Sequence, residues 1–231
     1  MYDLKSAFSN NSYLGFVSLP NILGVPDYTF YSCSNLYMAN VANASNIGPY
    51  AFMSCSALKT VICPNAKNIN YAAFSDCRYL ENIYLRKVEN IGDYAFEHDS
   101  RLKSLEAPYL LSVGRYAFDF CSSLTYISFP ELITIGSGAF SWCTSLATIS
   151  LPKVTSIESY AFANCGELSS IYILTSTIPT LVSSNAFYYT PIHYSSYLGG
   201  TFGKIYVKSS LFNSFKTATN WSYYSARMVS M

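Results

Sequence analysis

The side chains best equipped for chemistry in this 231-residue chain are seven cysteines and two histidines. Three residues can be written as a nucleophile with its relay: His98, the neighbouring Asp99, and Cys121 further on. Such a set needs an imidazole within hydrogen-bond reach of both the sulfur and an orienting carboxylate. Adjacent residues rarely form a relay, and Cys121 belongs to a series expected to point inward, away from any substrate. His98 and Asp99 are read instead as a polar break on the outer side of one repeat. His193 lies in the irregular stretch YYTPIHYSSYLGG and has no evident partner. The chain contains no phosphate-cradling Gly-rich loop, no H-E-x-x-H and no G-x-S-x-G. Its acidic residues are few and scattered, which leaves a paired-carboxylate glycosidase unsupported. No catalytic residue and no cofactor is assigned.

The cysteines are explained by where they recur. Phenylalanine stands at 8, 30, 52, 74, 96, 118, 140 and 162, each 22 residues after the last. Three residues on lie Cys33, Cys55, Cys77, Cys121, Cys143 and Cys165. Equivalent residues of stacked repeats point the same way about 4.8 Å apart, whereas a disulfide wants Cβ atoms about 3.8 Å apart. Asp99 also cuts the series into two groups of three, and an odd group cannot pair fully. The sulfurs are therefore read as small buried thiols. A zinc site needs four converging ligands at local spacings such as C-x₂₋₄-C, and no two of these cysteines stand closer than eight residues.

The elements that must hold these residues follow the same period. Leucine recurs six residues after each Phe, an aliphatic residue or Ala at nine, an apolar residue including Cys63 and Phe129 at eleven, and Ile or Val at seventeen, often followed by Gly. L-x-x-I-x-L alternates with period two, as a half-buried strand does, and Pro commonly follows it. The stretch I-G-x-Y-A-F-x-x-C-x-x-L places apolar residues three and four apart, which predicts a short helical or 3₁₀ segment. Each coil should therefore be a strand, a turn, a short helical segment and a turn. No coil can bury its Phe, Leu and Ile alone, so the coils must stack.

The expected fold is an α/β repeat solenoid with one curved parallel sheet on its concave face and the helical segments opposite. Residues 1–173 form the array of about eight repeats, the first atypical, and 174–231 an irregular last repeat and C-terminal cap. Within the cap KIYVK reads as the last strand, SLFNSFKTA as a short helix, and Trp221 as a ring packed beneath it. Asn70 stands at the position where neighbouring repeats carry Gly and is expected to tolerate a left-handed backbone.

Composition narrows the function classes. Charged residues are 12% of the chain and the net charge is +1, so no broad field draws nucleic acid or an anionic membrane. There is no run of about 18 apolar residues, hence no membrane-spanning helix. The start, MYDLKSAFSNN, lacks a signal-peptide pattern, which fits either a cytosolic protein or a chain that begins after a removed leader.

Outward strand residues are the candidate ligand contacts. Beginning with Phe16 and Ser18, they form two columns eight and ten residues after each Phe. One column continues through Met38, Thr60, Asn82, Ser104, Tyr126, Thr148 and Ser170; the other through Asn40, Ile62, Tyr84, Glu106, Ser128, Ser150 and Tyr172. They are neutral, rich in hydroxyls and dotted with aromatic rings. That suits a protein or glycan surface better than nucleic acid, which would demand Lys and Arg. Thr, Ser and Tyr are equally good exposed strand formers, so the columns also fit a purely structural spacer.

The repeat L-x-x-I-x-L-P-x-x-x-x-I-G-x-Y-A-F-x-x-C-x-x-L, clearest at 124–146 and 146–168, resembles the BspA-like leucine-rich repeats, also called the Treponema pallidum type. The resemblance covers roughly residues 1–190, and the tail 205–228 looks like the C-terminal end of such arrays in gut and oral bacteria. It implies a non-catalytic, extracellular or cell-surface protein, expected to be monomeric, that binds other proteins or host surfaces in adhesion. It also implies that the chain is commonly one part of a larger protein.

Overall fold

The computed structural model describes residues 4–193 and 202–231. Strands stand where the period-two alternation places them: Phe16–Ser18, Met38–Asn40, Thr60–Ile62, Asn82–Tyr84, Ser104–Glu106, Tyr126–Ser128, Thr148–Ser150 and Ser170–Ile173. Two further strands, Lys204–Val207 and Met228–Ser230, extend this front face, so KIYVK is followed by one more strand and is not the last. All pairings are parallel and in repeat register, with Val17 opposite Ala39 and Ala39 opposite Val61. In the three-residue strands from Phe16–Ser18 to Thr148–Ser150 the middle residue is buried and its neighbours are not, which is the alternation of a sheet with one dry side.

The expectation of a single sheet is incorrect. A second parallel ladder of two-residue strands runs from Asn46–Ile47 through Asn90–Ile91 to Thr180–Leu181, seven strands without interruption. The first six of these strands carry the Ile or Val of position seventeen, and the last carries Leu181. The glycine after it shows how closely the coils approach there. A Cβ on Gly136 would sit 2.6 Å from the carbonyl carbon of Gly114, so a side chain would hold neighbouring coils apart. The front ladder, by contrast, is broken twice. It forms separate sheets on either side of the junction between Asn82–Tyr84 and Ser104–Glu106, and again between Tyr126–Ser128 and Thr148–Ser150.

The segment around each Phe is also not helical. Among the described residues, helical and 3₁₀ turns are confined to 184–227. In the coil of Phe52, alternate amides leave the coil: Tyr50, Phe52 and Ser54 N–H donate to the next coil's Tyr71, Ala73 and Ser75 carbonyls at 2.8–2.9 Å. The intervening amides of Ala51, Met53 and Cys55 close three-residue turns onto Gly48, Tyr50 and Phe52 at 3.1–3.3 Å. A helix would need every amide turned inward. The alternation is produced by left-handed residues two before and two after each Phe, here Tyr50 at φ 57° and Ser54 at φ 60°. In the next coil Ala72, and not Asn70, takes the left-handed position at φ 48°. Asn70 uses its amide to bridge coils instead, donating to the Ile47 carbonyl at 2.7 Å and to Asn46 Oδ1 at 2.8 Å.

The core is a set of continuous ladders. Ring centroids of Phe8, Phe30, Phe52, Phe74, Phe96, Phe118, Phe140 and Phe162 follow one another at 5.0–5.3 Å, and Phe187 continues the stack at 5.6 Å. The three extra residues before Phe187 therefore leave its ring in line. Beside the rings, Cys33, Cys55, Cys77, Cys121, Cys143 and Cys165 each donate Sγ–H to the Phe carbonyl 25 residues earlier, at 2.9–3.1 Å. All seven cysteines are free, buried thiols. Burial pushes Cys33 up to about 11 and Cys63 up to about 12, far from the thiolate form.

Asp99 occupies the missing rung of this ladder. It is fully buried, which corrects the expectation that His98 and Asp99 form a break on the outside: only His98 faces outward. The three-residue offset from Phe96 points the side chain inward whatever its polarity. Neither carboxyl oxygen has a hydrogen-bond partner. Burial holds the group well above the usual carboxylate range, outweighing the Cys77 backbone amide, which lowers it, while the nearby Asp76 adds to the shift.

Beyond the last Phe, the C-terminal residues pack onto the end of the stack. Trp221 and Tyr224 are buried against Phe187, at 6.2 and 5.3 Å between centroids. Trp221 Nε1–H donates to the Pro179 carbonyl at 2.7 Å. SLFNSFKTA folds as a 3₁₀ turn, Ser209–Leu211, followed by an α-helix, Phe212–Thr217. His193 lies against Tyr188, Tyr223 and Tyr224, and residues 194–200 of its irregular segment lie outside the described residues.

Candidate binding faces

The catalytic constellation is taken apart by geometry. His98 stacks on Phe120 at 4.9 Å, on the outer surface, and its Nε2 lies 3.9 Å from Glu97. Asp99 and Cys121 lie inside the core, where Cys121 donates to the Phe96 carbonyl. Among the described residues no three His, Cys, Asp or Glu side chains are grouped to hold a metal ion.

The front columns are laid out as the alternation requires. None of the outward residues from Met38 to Tyr172 is buried, so none is consumed by packing. Tyr84 and Tyr126 are about half exposed, at 51% and 52%. Asn40 is the one that turns a polar atom inward, with its Oδ1 covered and unpaired. The two interruptions of the front ladder coincide with two clefts. The first, about 380 Å³, is lined by Asn82, Tyr84, Arg86, Ser104 and Glu106. The second, about 310 Å³, is lined by Tyr126, Ser128, Thr148, Ser150 and Tyr172. The columns predicted from the sequence thus meet at two clefts that the sequence did not announce. Arg86, which stands where most other coils carry Pro, was also missed; its departure from the repeat was the available signal.

Two aromatic files run along the surface on the Phe side. Tyr28, Tyr50, Tyr71, Tyr94 and Tyr116 follow one another at 4.6–5.5 Å, and His98, Phe120 and Trp142 form a shorter file at 4.9 and 5.4 Å. Most of these rings sit on the left-handed residues two before or two after the core Phe, whose backbone turns the side chain outward. Asp119 lies beside them, 8% exposed; burial and the charge of Glu97 push its carboxyl up to about 6, against a hydrogen bond from Ser141.

About nine stacked coils, parallel short strands and scarce helix define a leucine-rich-repeat solenoid. The chain belongs to the BspA type leucine rich repeat family: six copies of that repeat region match across residues 4–103 and 89–216. Leucine-rich-repeat proteins are generally protein-interaction modules and generally non-catalytic. The fold is similar to a leucine-rich repeat protein from Bacteroides ovatus, with 25% identity, a TM-score of 0.63, and coverage of 86% of this chain and 58% of that one. It is also similar to a leucine rich cell surface protein from Faecalibacterium prausnitzii, with 20% identity, a TM-score of 0.56, and coverage of 77% and 67%. A third similar structure is the T. pallidum leucine rich repeat protein, at 24% identity, TM-score 0.52, covering 73% of each chain. The chain thus spans 58% of the length of the Bacteroides protein it resembles. A comparison with curated proteins returns no match. No helix of the described residues is long and apolar enough to cross a membrane.

Proposed function

We propose that the chain is a non-catalytic binding module of a bacterial cell-surface or secreted protein, and that it holds a protein partner on its front sheet face in adhesion. One observation carries this reading: two registered columns of outward residues, from Met38 and Asn40 to Ser170 and Tyr172, remain unburied while nearly every recurring side chain is spent on the core. An extended, neutral surface with exposed Tyr rings buries area at low entropic cost, which suits protein recognition. The surface location rests on kinship, since one similar protein is described as a cell surface protein. Residues 174–231 serve in this reading as the irregular last repeat and the cap that closes the core.

A glycan is the second reading, favoured by the cleft in which Tyr126 and Tyr172 flank the hydroxyls of Thr148 and Ser150. The test is adhesion of the fluorescently labelled chain to host epithelial cells, comparing the native protein with the Tyr84→Ala/Tyr126→Ala double variant. Both substituted rings are about half exposed, so the fold should survive, and circular dichroism checks it. Binding lost in the variant and after protease treatment of the cells supports a protein partner. Loss after glycosidase but not protease treatment supports the glycan. Adhesion identical in variant and native protein would remove the front face from consideration.

A further inference from the structure

A trough of about 640 Å³ lies on the flank of the solenoid, next to the first front cleft, with which it shares Pro108 but none of the column residues. It sits between the end of the front strands and the second ladder, at positions thirteen and fifteen after each Phe. Its floor is apolar: Pro108, Tyr109 at 60% exposure and Leu111 at 38%, with the equally exposed Ile133 one coil beyond Leu111. Its rims are charged, and their charges are mostly spent on each other. Lys67 pairs with Glu89 at 3.0 Å, and Glu131 pairs with Lys153 at 2.6 Å. Lys87 lines the same trough and has no ion-pair partner among the described residues.

We propose that this trough is a second binding site, which takes an extended peptide segment carrying an acidic side chain next to a bulky apolar one. The carboxylate meets the Lys87 ammonium, and the apolar group covers Tyr109 and Leu111. Charge complementarity selects this occupant. One uncompensated cation between two neutralised pairs accepts one anionic group. A polyanion such as nucleic acid or a sulfated glycan would run its further charges against Glu89 and Glu131. The trough is open along its length, so it cannot enclose an acyl chain, and a fatty acid would leave its tail in water. A peptide avoids that cost, because its backbone amides can stay hydrated or meet the charged rims while one side chain leaves water. The site is independent of the front-face reading, since it shares none of the column residues.

The test is an amide-shift titration of the ¹⁵N-labelled chain with acetyl-Gly-Asp-Phe-Gly-amide. Shifts are expected at the amides of residues 87–89 and 109–111. Replacing Asp by Asn or Phe by Gly in the peptide should each weaken binding, and Lys87→Gln should weaken it about tenfold, the weight of one charge-assisted hydrogen bond. Lys87 is exposed, so the variant keeps its fold. The Tyr84→Ala/Tyr126→Ala variant should bind the peptide as the native chain does, which separates this site from the front face. The proposal is overturned by shifts confined to the front columns, by equal binding of the Asn peptide, by an unaltered affinity in Lys87→Gln, or by octanoate binding as tightly as the peptide.

Discussion

Replacing Asp99 by Cys should stabilise the protein, and by an amount that grows with pH. In the native chain the Asp99 carboxyl is sealed in the core near Cys77 and Cys121 with both oxygens unpaired, and burial keeps it protonated well above the usual carboxylate range. Unfolding releases it to water, where a carboxyl titrates near 3.9. A group whose folded value is raised binds its proton more tightly when folded. Its full contribution is therefore present below the unfolded value and is lost as pH rises toward the folded one. The slope over that window is about 1.4 kcal/mol per pH unit, which for a chain of this size is a few degrees of melting temperature per unit. A thiol at this position removes the penalty and donates to the Phe74 carbonyl, as Cys121 does to Phe96 at 3.1 Å. Melting of native protein and Asp99→Cys is followed by circular dichroism at pH 4.5, 5.5 and 7. The carboxyl of Asp119, also raised, is common to both proteins and cancels in the difference. A gap between the two that stays constant across pH, or a variant less stable at pH 7, would refute the reasoning.

Two other outcomes follow from the coil geometry. At pH 8 the folded protein should resist a thiol-specific reagent such as DTNB for many minutes, because burial drives Cys33 up to about 11 and Cys63 up to about 12; all seven thiols should react at once in guanidinium, and rapid labelling of any one in the folded state would contradict the buried ladder. Gly136→Ala should cost roughly 1–3 kcal/mol in urea denaturation, since its Cβ would lie 2.6 Å from the Gly114 carbonyl carbon, and a neutral substitution would show that the coils can part there.

Much of the candidate site was readable in the chain because the columns depend on alternation alone. Once Val61 and Ile83 are placed inward, Thr60, Ile62, Asn82 and Tyr84 have nowhere to point but outward. The helical reading failed for a physical reason. Apolar residues three and four apart fit a helix, but they fit equally an arc in which left-handed Tyr50 and Ser54 send alternate amides to the next coil. Local spacing cannot separate these, because the deciding hydrogen bonds join residues 21 apart, as from Tyr50 to Tyr71. Asp99 was misplaced because its polarity was weighed above its position, three residues after Phe96.

By itself the 22-residue ladder determined a stacked coil and its Phe and Cys rungs, since each depends on one residue type returning to one place, and the strand alternation it registers determined the two outward columns. Tertiary structure decided the rest. The second ladder, the left-handed turns and the two breaks of the front sheet depend on how closely neighbouring coils approach. The flank trough, with Lys87 left over between two spent ion pairs, depends on which side chains of different coils reach one another. Such distances belong to pairs of coils, and no single repeat carries them.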